Sequence, residues 1–77
     1  MENDLKRLLA VLAMNIRRLR KEKHLSQEAL AELTGLHRTY VGAVERSERN
    51  VTLATLLSFS TALNTSVQDL LGDGSVK

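Results

Sequence analysis

The chain has 77 residues, which is the length of one small domain, and we expect it to form a single domain over residues 1–77. Hydrophobic residues make up 43% and charged residues 26%, which is typical of a folded globular chain. The absence of cysteine excludes disulfides, thiolate metal sites and cysteine chemistry. Because no apolar run approaches the ~18 residues of a membrane span and no signal peptide is evident, we expect a cytoplasmic protein without membrane contacts.

The positive charge is concentrated in the first third of the chain, although the net charge is only +2. The basic residues before position 26 are Lys6, Arg7, Arg17, Arg18, Arg20, Lys21 and Lys23. This distribution suits a polyanionic partner, but a solvated helix face gives the same pattern. The aromatic content of 3% argues against binding of single strands by base stacking.

The first two helices are predicted by apolar spacing and by a cap. Apolar residues recur every three or four positions at Leu5, Leu8, Leu9, Leu12, Ile16 and Leu19. This period predicts a helix from about Asp4 to Lys23. Ser26 is a favourable N-cap for a second helix over Gln27 to Thr34, and Gly35 is expected just past its end with a positive φ. The apolar contacts of the second helix are expected to be Leu30, Ala31 and Leu33.

A third helix begins almost at once after Gly35. Its core-facing residues are predicted to be Leu36, Val41 and Val44, and its outward-facing residues Arg38, Thr39, Gly42 and Arg46. We also expect Gly42 and Ala43 on an exposed turn, where the glycine indicates either close backbone approach to a ligand or a neutral substitution. Two short helices joined by a glycine turn, over about residues 26–45, form a helix-turn-helix layout.

Two more helices follow a polar loop. Thr52 is predicted to cap a fourth helix, whose shared face carries Leu53, Leu56, Leu57, Ser60 and Leu63. Ser66 is predicted to cap a fifth short helix, which ends at Gly72 and carries Val67, Leu70 and Leu71. Residues 73–77 are expected to form a frayed tail. Because no segment alternates strictly between polar and apolar residues, the fold class is predicted to be all-α.

The central stretch resembles a known family. Residues 26–36 read SQEALAELTGL and residues 37–45 read HRTYVGAVE. The pattern S-Q-x-x-L-A-x-x-x-G-L, followed by V-x-x-V-E, resembles the lambda-repressor/Cro-like helix-turn-helix family over roughly Leu8 to Leu71. The further residues H-R-T-Y, E-R and R-N resemble the controller proteins of restriction–modification systems, a subgroup of that family. The chain departs from this subgroup at Ser47, where glycine is frequent, and at Val51, where proline is frequent.

The resemblance implies a compact five-helix DNA-binding domain whose third helix enters the major groove of double-stranded DNA. Arg38 and Thr39 lie at the leading end of that helix and are the expected base contacts. The other contacts that the subgroup implies are Tyr40, Arg46, Arg49, Asn50 and Thr55, and the start of helix 2 adds Gln27 as a phosphate contact. Tyr40 has two interpretations, a hydroxyl bound to phosphate or a ring that covers the edge of the core. With few side chains to read bases, DNA shape is expected to supply part of the specificity.

The resemblance also implies a partly buried ion pair between Arg20 and Glu45, which otherwise would be two unrelated surface charges. Since one recognition helix reads only a few base pairs, we expect a homodimer on a pseudo-palindromic operator. Its interface is expected in the C-terminal region, about residues 52–72. The candidates for the exposed patch are Phe59, Asn64, Thr65 and Val67.

The sequence favours a transcriptional regulator over an enzyme. His24 and His37 have no acidic residue at metal-ligand spacing, so no metal and no cofactor are expected. The subgroup implies control of the protein's own operon, with the protein concentration as the input and Glu48 as a possible contact to RNA polymerase. Three alternatives stay open: a prophage repressor, an antitoxin, or a helical adaptor that binds only proteins.

Overall fold

The computed structural model, which describes residues 2–72, contains five α-helices, and no strand occurs in that range. These are α1 (Glu2–Glu22), α2 (Gln27–Thr34), α3 (Arg38–Glu45), α4 (Leu53–Ala62) and α5 (Val67–Leu71). The predicted all-α fold class with five helices is therefore confirmed. Helix α2 has the predicted bounds, and α1 begins two residues earlier than the sequence indicated. The predicted tail at residues 73–77 lies outside the described residues.

Side-chain caps set the beginnings of the last four helices. Ser26, Thr52 and Ser66 each accept the backbone N–H of the residue three positions further on, at 2.9–3.1 Å. These bonds satisfy N–H groups that have no partner within the helix. Helix α3 is capped differently, because Nδ1 of His37 accepts the N–H of Thr39 at 3.2 Å. The capping role of His37 was not predicted.

Each of the four longer helices is followed by a residue in the left-handed backbone region. Gly35 has a φ of 73°, as the sequence indicated. His24, Ser47 and Asn64 have φ values of 58°, 62° and 54° after α1, α3 and α4. Left-handed residues end helices by turning the chain back on its last carbonyls. A non-glycine residue is uncommon there, and Ser47 is one of the three such residues in the described part of the chain.

All five helices contribute side chains to one core. Helix α1 packs against α3 and α5, α2 packs against α3 and α4, and α4 packs against α5. The buried apolar cluster consists of Leu12, Ile16, Leu30, Ala31, Val41, Val44, Leu56, Phe59, Leu63 and Leu70.

The prediction for the faces of α4 was right for Leu56 and Leu63, which are buried. It was wrong for Leu53, Leu57 and Phe59. Phe59, expected in an exposed patch, is fully buried, whereas Leu53 and Leu57 are 78% and 59% exposed. The buried stripe runs through Leu56, Phe59 and Leu63 at helical spacing, so Leu53 and Leu57 lie on the opposite side. The physical reason is that the apolar residues of α4 occur on every side of the helix, so their spacing alone does not identify the buried face.

Leu33 also differs from the prediction. It was expected to be an apolar contact of α2, but its side chain is 58% exposed. The buried residues of α2 are Leu30 and Ala31. With only eight residues, α2 turns a narrow stripe toward the core, and Leu33 falls outside it.

Candidate nucleic-acid interface

The turn between α2 and α3 is held by backbone and side-chain hydrogen bonds. The N–H of Leu36 bonds to the carbonyl of Ala31 at 3.1 Å, and Gly35 adopts the left-handed conformation that allows this reversal. Oγ1 of Thr34 accepts the N–H of Leu36 at 3.3 Å and donates to the carbonyl of Leu30 at 2.9 Å. The two helices therefore form one rigid helix-turn-helix unit.

The leading end of α3 is open to solvent. Arg38 and Thr39 are both exposed, and the backbone of Thr39 is tied to the cap at His37. Arg38 Nε lies 3.6 Å from Oε2 of Glu28 on α2, with both side chains mostly exposed. An exposed pair at that distance contributes about 0–1 kcal/mol. The guanidinium can therefore leave Glu28 at little free-energy cost when another acceptor approaches.

The trailing end of α3 is locked by a buried ion pair. Glu45 is 2% exposed, and Arg20 binds it through two parallel bonds, Nε to Oε2 at 2.6 Å and Nη2 to Oε1 at 3.0 Å. Arg20 also donates through Nη1 to the carbonyl of Leu25 at 2.9 Å. A bidentate arrangement of this kind is the strongest geometry for a carboxylate and a guanidinium. The structure thus brings together the two charges that the sequence singled out.

Two further side chains complete the network around Glu45. Gln27 donates from Nε2 to Oε1 of Glu45 at 3.0 Å, and Arg17 donates from Nη1 to the backbone carbonyl of Glu45. Since Arg17 and Arg20 belong to α1 and Gln27 begins α2, the network joins three helices. It fixes α3 relative to the rest of the domain, which a probe that reads base edges requires.

The structure assigns Gln27 a contact that the sequence did not predict. Its side-chain amide was predicted to contact phosphate, and one of its donors is used on Glu45 instead. The residue is half-buried at the start of α2, where the helix dipole favours an anion. A phosphate there would meet the free N–H groups of α2 and the remaining amide hydrogen of Gln27.

The predicted exposure of Gly42 and Ala43 was wrong, because both residues are buried. A Cβ built on Gly42 would lie 3.2 Å from Nη1 of Arg46 and 3.5 Å from Oε1 of Gln27. The side chains of Arg46 and Gln27 therefore cross directly over the backbone of α3 at this position. Glycine provides the space for that crossing, so its role is internal packing rather than the exposed turn that we predicted.

Tyr40 covers the edge of the core and ties down the loop after α3. Its ring is half-buried against the apolar cluster, and its hydroxyl donates to the carbonyl of Asn50 at 2.9 Å. The guanidinium of Arg49 lies over the ring, 5.2 Å from its centroid. Since the one phenolic proton is used on Asn50, the geometry favours the structural interpretation of Tyr40 over a bond to phosphate.

The other predicted contacts surround this loop. Arg46 is exposed and pairs through Nε with Oε1 of Glu48 at 3.1 Å, and Arg49 and Asn50 are exposed beside it. Thr55 is half-buried in the first turn of α4, where its Oγ1 accepts from the Thr52 hydroxyl at 3.1 Å. Arginine side chains and helix N–H groups of this kind are the usual donors to phosphate oxygens.

Two other kinds of site, a metal centre and a membrane span, have no candidate among the described residues. Within residues 2–72, no group of three or more His, Cys, Asp or Glu side chains is placed to hold a metal ion. In the same range, no helix combines the length and the apolar character that crossing a membrane requires.

The turn at Gly35 and the exposed leading end of α3 define a helix-turn-helix protein, and comparison with known proteins agrees. The helix-turn-helix family model HTH_3 matches residues 16–70, so the chain belongs to this family. As a member of it, the chain is a DNA-binding transcription regulator and not an enzyme.

Individual relatives are also similar over most of the chain. Control protein C.SmaI from Serratia marcescens is 62% identical over 61 residues, which are 79% of this chain and 73% of that protein. The crystal structure of the restriction-modification controller protein C.AhdI from Aeromonas hydrophila has a TM-score of 0.77 at 48% identity, covering 80% of this chain and 94% of that one. The hypothetical transcription factor NHTF from Neisseria has a TM-score of 0.81 at 46% identity, covering 84% and 75%.

Proposed function

We propose that the protein binds a pseudo-palindromic DNA operator as a homodimer and controls the expression of a restriction–modification operon that includes its own gene. The observation that carries the proposal is the contrast between the two ends of α3. Arg38 and Thr39 at its leading end are exposed, while Glu45 at its trailing end is buried and bound by Arg20. A rigid helix with free polar groups at one end is suited to reading base edges in the major groove.

Arg38 is proposed as the principal base contact. Its side chain is 61% exposed and its partner Glu28 lies 3.6 Å away, so it is free to bind a planar acceptor. A guanidinium fits the N7 and O6 atoms of guanine with two parallel bonds, which discriminate against other bases by ~1–3 kcal/mol. Thr39 adds a hydroxyl for a base edge and a methyl group for thymine.

Phosphate contacts are proposed on both sides of α3. Gln27 and the N-terminus of α2 form one flank, and the loop after α3 together with the start of α4 forms the other. The proposed residues of that second flank are Arg46, Arg49, Asn50 and Thr55. Tyr40 is proposed to act there by holding the carbonyl of Asn50, rather than by binding phosphate itself.

The proposed dimer interface lies at the corner between α4 and α5. With Phe59 buried, the predicted candidates that remain are Asn64, which is exposed, and Thr65 and Val67, which are half-buried. The exposed face of α4 adds two leucines, Leu53 and Leu57, which lack cover within the described residues. The two leucines are four positions apart and therefore adjacent on one face of α4, and a contiguous exposed apolar patch is typical of a protein interface.

A charged substitution on the exposed face of α4 tests the dimer, and the same substitution at an equally exposed leucine on another helix is its control. Leu57→Glu should convert the protein to a monomer in sedimentation equilibrium, because a carboxylate would be buried in the interface. Leu33→Glu is the control, since Leu33 on α2 is 58% exposed and Leu57 is 59% exposed. An equal effect of the two substitutions, or none from Leu57→Glu, would contradict this interface.

The similarity to control proteins of restriction–modification systems supports the regulatory part of the proposal. Because a dimer loads onto DNA steeply with concentration, the amount of protein would itself set the timing of expression. A contact to RNA polymerase through Glu48 belongs to the same proposal. Glu48 is exposed on the loop after α3 and is paired with Arg46.

The DNA-binding experiment uses a duplex selected by the wild-type chain from a random-sequence library. Arg38→Ala should reduce affinity for this duplex by about 5- to 150-fold, which corresponds to the ~1–3 kcal/mol of a bidentate base contact. Its affinity for a scrambled duplex should fall much less. Arg7→Ala removes the same charge from an exposed residue outside the proposed contacts and serves as the control. Equal losses on both duplexes for Arg38→Ala would show that Arg38 does not read bases.

Salt dependence separates the proposal from the protein-only adaptor. Binding to the selected duplex should weaken log-linearly with salt, with a slope of about −0.9 per neutralised phosphate. Failure of the wild-type chain to enrich any duplex would overturn the DNA-binding proposal. A single half-site in place of a repeated one would overturn the dimeric operator.

A further inference from the structure

The interior of the domain contains two buried polar side chains among the described residues, Asn15 and Glu45, which are 4% and 2% exposed. The ion pair with Arg20 explains why the carboxylate of Glu45 can be buried. Asn15 is not explained by DNA contact, because it lies in the middle of α1 and faces α5. A buried amide is costly to desolvate unless each of its polar atoms is bonded, so its presence calls for a structural reason.

Asn15 binds the end of α5. Its Nδ2 donates to the carbonyls of Leu70 and Gly72, both at 2.8 Å, with a longer contact of 3.3 Å to the carbonyl of Asp69. Its Oδ1 accepts from Nη2 of Arg18 at 3.3 Å. The last carbonyls of a helix have no partner within that helix, so one side chain of α1 satisfies the C-terminal end of α5.

Helix α5 depends on such external contacts. It has only five residues, and an isolated helix of that length is unstable in water. Leu70 is fully buried, and Val67 and Leu71 pack against the same apolar cluster, so three apolar side chains hold α5 to the core. An apolar contact is non-directional and leaves rotation and sliding open, whereas an amide with two directed donors fixes both. Asn15 therefore determines the orientation of α5 against α1.

We propose that Asn15 is a positioning residue that sets the spacing between the two recognition helices of the dimer. The proposal rests on the dimeric DNA binding described above. One protomer's α5 lies at the proposed interface, and its α3 lies at the DNA. Helix α1 holds both, α5 through Asn15 and α3 through Arg20, five residues or about 7.5 Å further along the same helix.

The consequence for DNA is a fixed distance between half-sites. Inserting one base pair moves a half-site by ~3.4 Å and turns it by roughly 35°, because B-DNA has 10–10.5 base pairs per turn. We call the bonds from Asn15 to the end of α5 the clamp. With the clamp in place, the two α3 helices of the dimer cannot change their separation to match the moved half-site. Without the clamp, only the apolar contacts of Val67, Leu70 and Leu71 hold α5 against the core. Helix α5 can then shift against α1, so the two α3 helices can reach half-sites at other spacings.

The test compares spacing tolerance rather than affinity alone. The probes are the duplex selected by the wild-type chain and versions with one or two base pairs added or removed between its half-sites. The full chain is used with Asn15→Ala and with the milder Asn15→Ser, which keeps one donor. Ile16→Val is the control, because it removes a methyl group from the adjacent buried residue and leaves the clamp intact. Binding is measured at a temperature at which circular dichroism shows that each variant is fully folded. If Asn15→Ala is not folded at any usable temperature, the comparison is made with Asn15→Ser alone.

When one base pair is inserted between the half-sites, the wild type and Ile16→Val should bind at least about 100-fold more weakly. Binding both half-sites at once strengthens affinity by about 10²–10⁴ over one half-site, and this gain disappears when only one half-site can be bound. The Asn15 variants should lose less than about 10-fold on the same change, starting from a weaker affinity at the original spacing. An Asn15 variant with the wild-type spacing profile would overturn the inference and leave the proposed function intact. Selection of a duplex without paired half-sites would overturn both.

Discussion

The ion pair between Arg20 and Glu45 gives a prediction that is independent of DNA. Arg20→Ala would remove the bidentate partner of a carboxylate that is 2% exposed. Removing one member of a buried pair typically destabilises a protein by about 3–5 kcal/mol, because the remaining charge is uncompensated. The bond from Gln27 to Oε1 of Glu45 would remain and offset about 1 kcal/mol of that loss. We therefore expect Arg20→Ala to reduce the free energy of unfolding by about 2–4 kcal/mol.

The loss is large for a domain of this size. A chain of 77 residues has a total stability of about 4–12 kcal/mol at ordinary values per residue. Urea denaturation followed by circular dichroism measures the change, and the midpoint of thermal unfolding should fall by roughly 8–30 °C. Arg7→Ala is the control, because the Arg7–Asp4 pair is exposed and should change stability by less than about 1 kcal/mol.

A double-mutant cycle with Glu45→Ala isolates the pair itself. The double substitution should be less destabilising than the sum of the two single ones, by about 2 kcal/mol or more. A loss below about 1 kcal/mol for Arg20→Ala, with no coupling to Glu45, would mean that the two side chains behave as separate surface charges. The ion pair would then not hold the trailing end of α3 in place.

Three further substitutions test particular contacts. Gly42→Ala should leave stability unchanged or raise it by up to about 1 kcal/mol, because the added methyl group displaces only the flexible end of Arg46. Since Arg46 is a proposed phosphate contact, its displacement should weaken DNA binding in a mobility-shift assay, and unchanged binding would contradict that role of Arg46. Gly35→Ala should lower the free energy of unfolding in urea by about 1–2 kcal/mol, since Gly35 has a φ of 73°. Tyr40→Phe should lower it by about 0.5–1.5 kcal/mol through loss of the bond to Asn50, and no change would show that the bond is absent in solution.

Local signals in the sequence predicted the helices well. Ser26 is a strong N-cap and Gly35 a strong helix terminator, and both act through the backbone within a few residues of themselves. The bounds of α2 therefore agree with the prediction. Ser47 shows the limit of such signals, because a serine gives no local indication that its φ will be 62°.

The faces of the helices were harder to predict because they depend on contacts between distant residues. In α4, Phe59 and Leu57 are both apolar, and the positions of α2 and α5 decide which of them is buried. Gly42 was misjudged for the same reason, since the side chain that covers it, Arg46, was itself expected to point away from the helix. The clamp at Asn15 joins residues more than 50 positions apart and has no local signature.

Base reading by the leading end of α3 is tested most directly by removing a single acceptor atom from the DNA. In the selected duplex, each guanine is replaced in turn by 7-deazaguanine, which lacks the N7 acceptor. At one guanine of each half-site, the wild type should lose about 10-fold in affinity, as expected for one bond of a bidentate contact, and Arg38→Ala should lose nothing further there. If the losses from the base change and from Arg38→Ala are additive at every guanine, Arg38 does not bind a guanine N7 and the account is contradicted.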